Sequence, residues 1–137
     1  MLELSAALRA VAAQPRLRPA VAVLQREACR LTGAREATVI AIDRAHGTVW
    51  TRDGSAVSDE ILDLVTQVAD SGRRARFDHA VFEPIGGPPA RAVLALRGDA
   101  YARFIDHDIA LLAALSGGVA ATLHRLLDAA AAASEPP

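Results

Sequence analysis

The side chains with chemistry to offer fall into two groups. Arg73, Arg74 and Arg76 stand just past a Gly stop and close to His79. Guanidinium forks match phosphate and carboxylate geometry, so one reading is an anion site. The other is a solvated cluster that complements the negative end of the helix before it. The second group is Trp50, Arg52, Arg76, Phe77, His79 and Phe82. If the strands and loops carrying them converge, they line a small-molecule pocket, where an indole beside arginines can stack a planar ligand. The alternative is that Trp50 and Phe82 simply cover a sheet face.

Nothing in the spacing suggests a catalyst. His46, His79, His107 and His124 form no i,i+4 pair and have no partner cysteine, so no metal site and no cofactor is expected. Asp106-His107-Asp108 looks like a ligand run, but neighbouring residues on a helix point in different directions. These acids read better as the start of a helix. The single cysteine, Cys29, excludes an internal disulfide and reads as a small core residue.

Composition narrows the class further. At 137 residues the chain makes one domain, and 52% apolar residues supply a core without cross-links. All 15 basic residues are arginine, with no lysine and no asparagine, a bias of GC-rich bacterial genomes. A formal net charge of −1 argues against a nucleic-acid binder. The start, Met1-Leu-Glu-Leu-Ser5, has no basic n-region and no long apolar run, so no signal peptide is expected. The apolar run Ile109–His124 is too short to span a bilayer, so a cytoplasmic protein with no membrane contact is expected.

Several elements could position those side chains. Leu4, Leu8 and Val11 mark a short helix over Leu2–Ala13, stopped by Pro15. A second helix covers Arg18–Thr32 and ends at Gly33. Glu36–Asp43 is apolar on both faces and reads as a central strand, turning through Gly47 into the more polar Thr48–Arg52. Ser58 caps a helix to Ser71. Ala80–Ile85 and Arg91–Arg97 are strands joined by Gly86-Gly-Pro-Pro89. A long Ala/Leu helix starts near Asp106, and residues 129–137 read as its Ala-rich end and a linker-like tail after a domain of residues 1–128.

The expected fold is α+β, with a central antiparallel sheet. Its strands run Thr48–Arg52, Glu36–Asp43, Arg91–Arg97, Ala80–Ile85 (second, first, fourth, third in chain order), or the same with an added short edge strand. The N- and C-terminal helices pack on one face.

Four features together resemble a GAF domain. They are the two leading helices, the strand ending in Asp43 before a Gly hairpin, Phe82-Glu-Pro-Ile85 before a Gly turn and small-residue strand, and the Phe104-Ile-Asp-His-Asp-Ile-Ala-Leu-Leu112 close. A roadblock/longin-like domain is the structural rival, favoured by the short middle segment. The GAF resemblance implies a non-catalytic sensory or regulatory module. It implies a ligand on the sheet face away from the terminal helices, a homodimer through the first and last helices, and an attached output domain or partner. For the dimer, Leu4, Leu8, Val11, Leu111, Gly118 and Thr122 are the expected interface residues. The alternative is a ligand-free interaction scaffold. The cyclic-nucleotide signature of that family is missing, because the chain has no Asn or Lys. Gly117-Gly118 within the last helix implies a close backbone approach, to the sheet or to a second subunit.

Overall fold

The computed structural model describes residues 2–77, 79–98 and 104–134. In chain order the elements are α1 (Leu2–Ala12), α2 (Leu17–Thr32), β1 (Glu36–Asp43), β2 (Thr48–Thr51), α3 (Asp59–Ser71), β3 (Ala75–Phe77), β4 (Ala80–Ile85), β5 (Ala92–Arg97) and α4 (Asp106–Ser134). The sheet is antiparallel, in the order β2-β1-β5-β4-β3. This is the expected order with β3 as the added edge strand.

Strand alternation divides the sheet into two faces. Ala37, Val39 and Ala41 of β1, Leu94 and Leu96 of β5, and Val81 and Ile85 of β4 face the main core under α1, α2 and α4. Ile40, Val93, Ala80 and Phe82 face a smaller cluster closed by Val65, Val68 and Ala69 of α3. The terminal helices therefore share one face, and α3 takes the other.

Local chemistry sets the boundaries. Gly33 and Gly72 end α2 and α3 in left-handed backbone, each returning its N–H to the last turn. The Ser58 hydroxyl accepts from the Ile61 N–H, and Asp59 and Glu60 add charge where the dipole favours it. Arg44 ties the β1–β2 hairpin across the sheet, donating to Asp70 at 2.7 Å and to the Ala90 carbonyl at 2.9 Å.

Helix α4 is long and apolar enough over Asp106–Ala133 to cross a membrane, which the sequence run Ile109–His124 alone does not suggest. Its stripe of Leu112, Leu115, Val119, Leu123 and Leu126 is, however, buried in the domain's own core. The helix continues through Ser134, so the Ala-rich end is helical that far. Residues 135–137, the rest of the expected tail, lie outside the described residues.

Helix α1 resolves the glycine pair. A Cβ on Gly118 would stand 2.5 Å from Leu8 Cδ2, whereas one on Gly117 meets nothing within 4 Å. The close approach predicted from sequence is thus made by α1 of the same chain.

Candidate functional site

On the α3 face, a cavity of about 360 Å³ opens between the sheet and the β2–α3 loop. Its floor is Thr38, Ile40, Ala95, Ala80 and Phe82, with Thr51 at one side. Asp53, Ser55, Ala56, Val57 and Ser58 arch over it, and Ile61 of α3 closes the end. Glu36 and Arg97 face each other across β1 and β5 at the mouth. The volume is in the range of small-molecule sites.

The loop is shaped by its own hydrogen bonds. Asp53 Oδ1 accepts from the Ser55 N–H at 3.0 Å and the Ser55 hydroxyl at 2.7 Å. The buried Thr51 hydroxyl donates to the Ser55 carbonyl at 3.2 Å. These donors hold the Asp53 carboxyl below its ordinary value, the Ser55 hydroxyl most of all. The arch is therefore tied to the end of β2, and the floor is mostly apolar. Such a site encloses a small molecule with an apolar body and offers it hydroxyl groups and a charge at the rim.

Of the residues expected to line a pocket, Phe82 alone does so. Trp50 is corrected to the opposite face, where it packs on the main core beneath Arg18 of α2. The reason is strand parity. Thr51 points at the cavity, so Trp50 and Arg52 point away from it. Arg76 pairs with Val81, a main-core residue, and is exposed on that same side of the edge strand. Phe77 shares the cavity's side but is 39% exposed at the sheet edge, outside the lining. His79 is exposed in the β3–β4 turn with φ 62°, and its carbonyl accepts from the Gly98 N–H.

The arginine cluster also separates. Arg74 forks onto the buried Glu83 carboxylate, with Nε to Oε2 at 2.7 Å and Nη2 to Oε1 at 3.4 Å. Arg73 and Arg76 are exposed. Among the described residues no group of three or more His, Cys, Asp and Glu could hold a metal ion. Cys29 lies on α2, across the sheet from the cavity. Burial, and then the Glu36 charge, push its thiol up from the ordinary value.

The expected interface residues sit largely inside the chain. Leu4, Val11 and Leu111 belong to the buried core, and Leu8 fills the space over Gly118. These side chains are committed to α1–α4 packing and leave little to a partner, and Thr122 is half-buried. Helical spacing on α1 and α4 flags apolar faces but does not say which partner they meet.

Sequence reasoning missed Thr38, Thr51, Asp53, Ser55 and Ala95. They are small or common side chains, and only the signal Asp53-Gly-Ser55, a turn former, marked the arch.

By sequence, the chain matches no protein-family model and no curated protein. By structure it is similar to several solved GAF domains. That of the potassium sensor histidine kinase KdpD of Escherichia coli superposes with a TM-score of 0.73 at 18% identity, covering 97% of this chain and 99% of that one. The GAF domain of a phosphoenolpyruvate-protein phosphotransferase from Coxiella burnetii gives a TM-score of 0.74 at 16% identity, with 95% of each chain covered. An Acinetobacter counterpart gives 0.72 at 10% identity, covering 98% of this chain and 95% of that one. The fold is that of a GAF domain over nearly the whole chain, and the roadblock/longin-like alternative falls away.

Proposed function

From the GAF fold as premise, we propose that this is a sensory or regulatory domain without catalytic activity of its own. It binds a small molecule beneath the β2–α3 arch and passes the occupancy of that site to α4. The observation that carries this reading is the cavity of about 360 Å³ on the face that α1, α2 and α4 leave free. The named neighbours, GAF domains of a sensor kinase and of phosphotransferases, support a regulatory role of this general kind. The lone, unpaired Cys29 suits a reducing cytoplasmic setting.

A second copy is the proposed partner, docking on the outer side of α4. Ala110, Ala114, Gly117 and Ala121 are spaced along one side of that helix, and Gly117 leaves open space for a close approach. This shifts the proposed interface away from Leu4, Val11 and Leu111. A downstream output domain or partner protein then receives the signal from the end of α4.

Filling the cavity tests the ligand reading. Ala95→Phe puts a ring on the floor between Thr38 and Phe82. A panel of small metabolites is screened by thermal unfolding against both proteins. Compounds that raise the Tm of the parent and not of Ala95→Phe support the site. If nothing raises the parent's Tm, the ligand-free scaffold takes its place. Sedimentation at micromolar concentration decides the dimer, with Gly117→Arg expected to produce a monomer.

A further inference from the structure

We infer that the β4–β5 turn, residues 86–91, is the joint that couples the α3 wall of the cavity to the far half of α4, with Arg91 as its anchor. The inference rests on reading the cavity as a site that signals through α4, and it adds the route. Helix α4 meets the sheet chiefly at β4, the strand that runs into this turn.

Helix α3 connects the cavity to the joint. Its cap Ser58 and its first-turn Ile61 line the cavity. Its other end bears on the turn. The Ala69 carbonyl accepts from the Ala90 N–H at 2.8 Å. Gly72 lies so close to Pro88 that a Cβ there would stand 3.0 Å from the proline ring. Arg44 clasps the same junction, bonding both to Asp70 of α3 and to the Ala90 carbonyl.

The turn in turn grips α4. Arg91 Nη1 pairs with Asp128 Oδ1 at 2.8 Å and donates to the His124 carbonyl at 3.3 Å. Gly86, at φ 96°, lies against the His124 ring, where a Cβ would stand 3.0 Å from Cε1. Among the described residues the ring's Nε2 has no hydrogen-bond partner and is out of solvent, so that edge is held by packing. The Arg91 carbonyl accepts from the Ile42 N–H at 2.8 Å, which fixes the joint to β1 as well. Ala90 and Arg91 are neighbours in the chain. Helix α3 therefore holds one residue of the joint and α4 holds the next, a contiguous bonded path of the kind that carries coupling between sites.

Amide hydrogen exchange tests the joint without any ligand. Arg44 touches α3 and the turn but not α4, and Arg91 ties the turn to α4. Both side chains are partly exposed, so truncating either leaves the core intact. Arg91→Ala and Arg44→Ala should each speed exchange over residues 120–128 by roughly twofold to thirtyfold, the span of couplings along such paths. The double variant should exchange little faster there than Arg91→Ala alone, because both changes cut one path. Residues 92–96 of the central strand β5 serve as the reference for global opening. Parent-like exchange over 120–128 in Arg44→Ala, full multiplication of the two effects, or an equal rise over 92–96 would each overturn the inference. A thermal-shift screen that finds no ligand would remove the reading of the cavity and leave this exchange result unaffected.

Discussion

Leu8 of α1 occupies the space that a side chain on Gly118 of α4 would need, with Cδ2 placed 2.5 Å from the position of that Cβ. This contact is one of the places where the first helix lies against the last. It also separates two glycines that look equivalent in sequence.

The two should respond oppositely to alanine. Gly117→Ala meets nothing within 4 Å and should gain up to about 1 kcal/mol from helix propensity. Gly118→Ala has the same gain but must turn the half-buried Leu8 side chain aside, which offsets it in part. Urea unfolding should place Gly118→Ala below Gly117→Ala, by up to about 1 kcal/mol, with part of the gap closed when Leu8→Ala is added. Equal stabilities for the two single variants would rule the Leu8 contact out as the reason for the glycine.

Removing Arg74 should be costly where removing Arg73 is not. Glu83 keeps its carboxylate buried, and Arg74 is its fork partner. Breaking a buried pair from one side costs roughly 3–5 kcal/mol. Arg74 is about a third exposed, so a loss near or below the lower end is expected. Arg73→Ala, at an exposed position without a salt bridge, should change stability by less than about 0.5 kcal/mol. Chemical denaturation of the two variants side by side gives the answer.

How far the sequence was legible follows from parity and distance along the chain. The central strands declared themselves, because Val39 and Ile40, or Leu94 and Val93, are apolar on both faces. The edge strand β3 did not, since Ala-Arg-Phe has no pattern of its own and forms by pairing with β4. On β2 the side chain that faces the cavity is one residue from the one that the sequence singles out. The aromatic Trp50 drew attention, and the plain Thr51 faces the cavity. Gly118 marks a close approach, but its partner Leu8 lies more than a hundred residues away, and helix spacing cannot name it.

The arch over the cavity should be sensitive to acid. Hydrogen bonds from Ser55 and Thr51 lower the Asp53 carboxyl from its ordinary 3.8. A lowered folded-state value means that the stabilisation is complete above about pH 4. It is lost as the pH falls through the folded value. Asn at this position keeps an acceptor oxygen but cannot ionise. The parent's denaturation midpoint, relative to Asp53→Asn, should therefore fall on going from pH 5 to pH 3. A constant difference across that interval would show that the bonds do not favour the charged form.

The cavity and α4 lie on opposite sides of one layer of backbone. Ala95 borders the cavity, and its neighbours Leu94 and Leu96 lie in the core under α4. Successive side chains leave a strand in opposite directions. The sheet is therefore the one layer between the cavity and the main core. Helix α4 lies over the other surface of the sheet, on β4 and against α2, with the five buried positions of its stripe along it. On the proposed reading, a displacement of the sheet under a ligand would be felt by a 29-residue helix whose far end is Ser134.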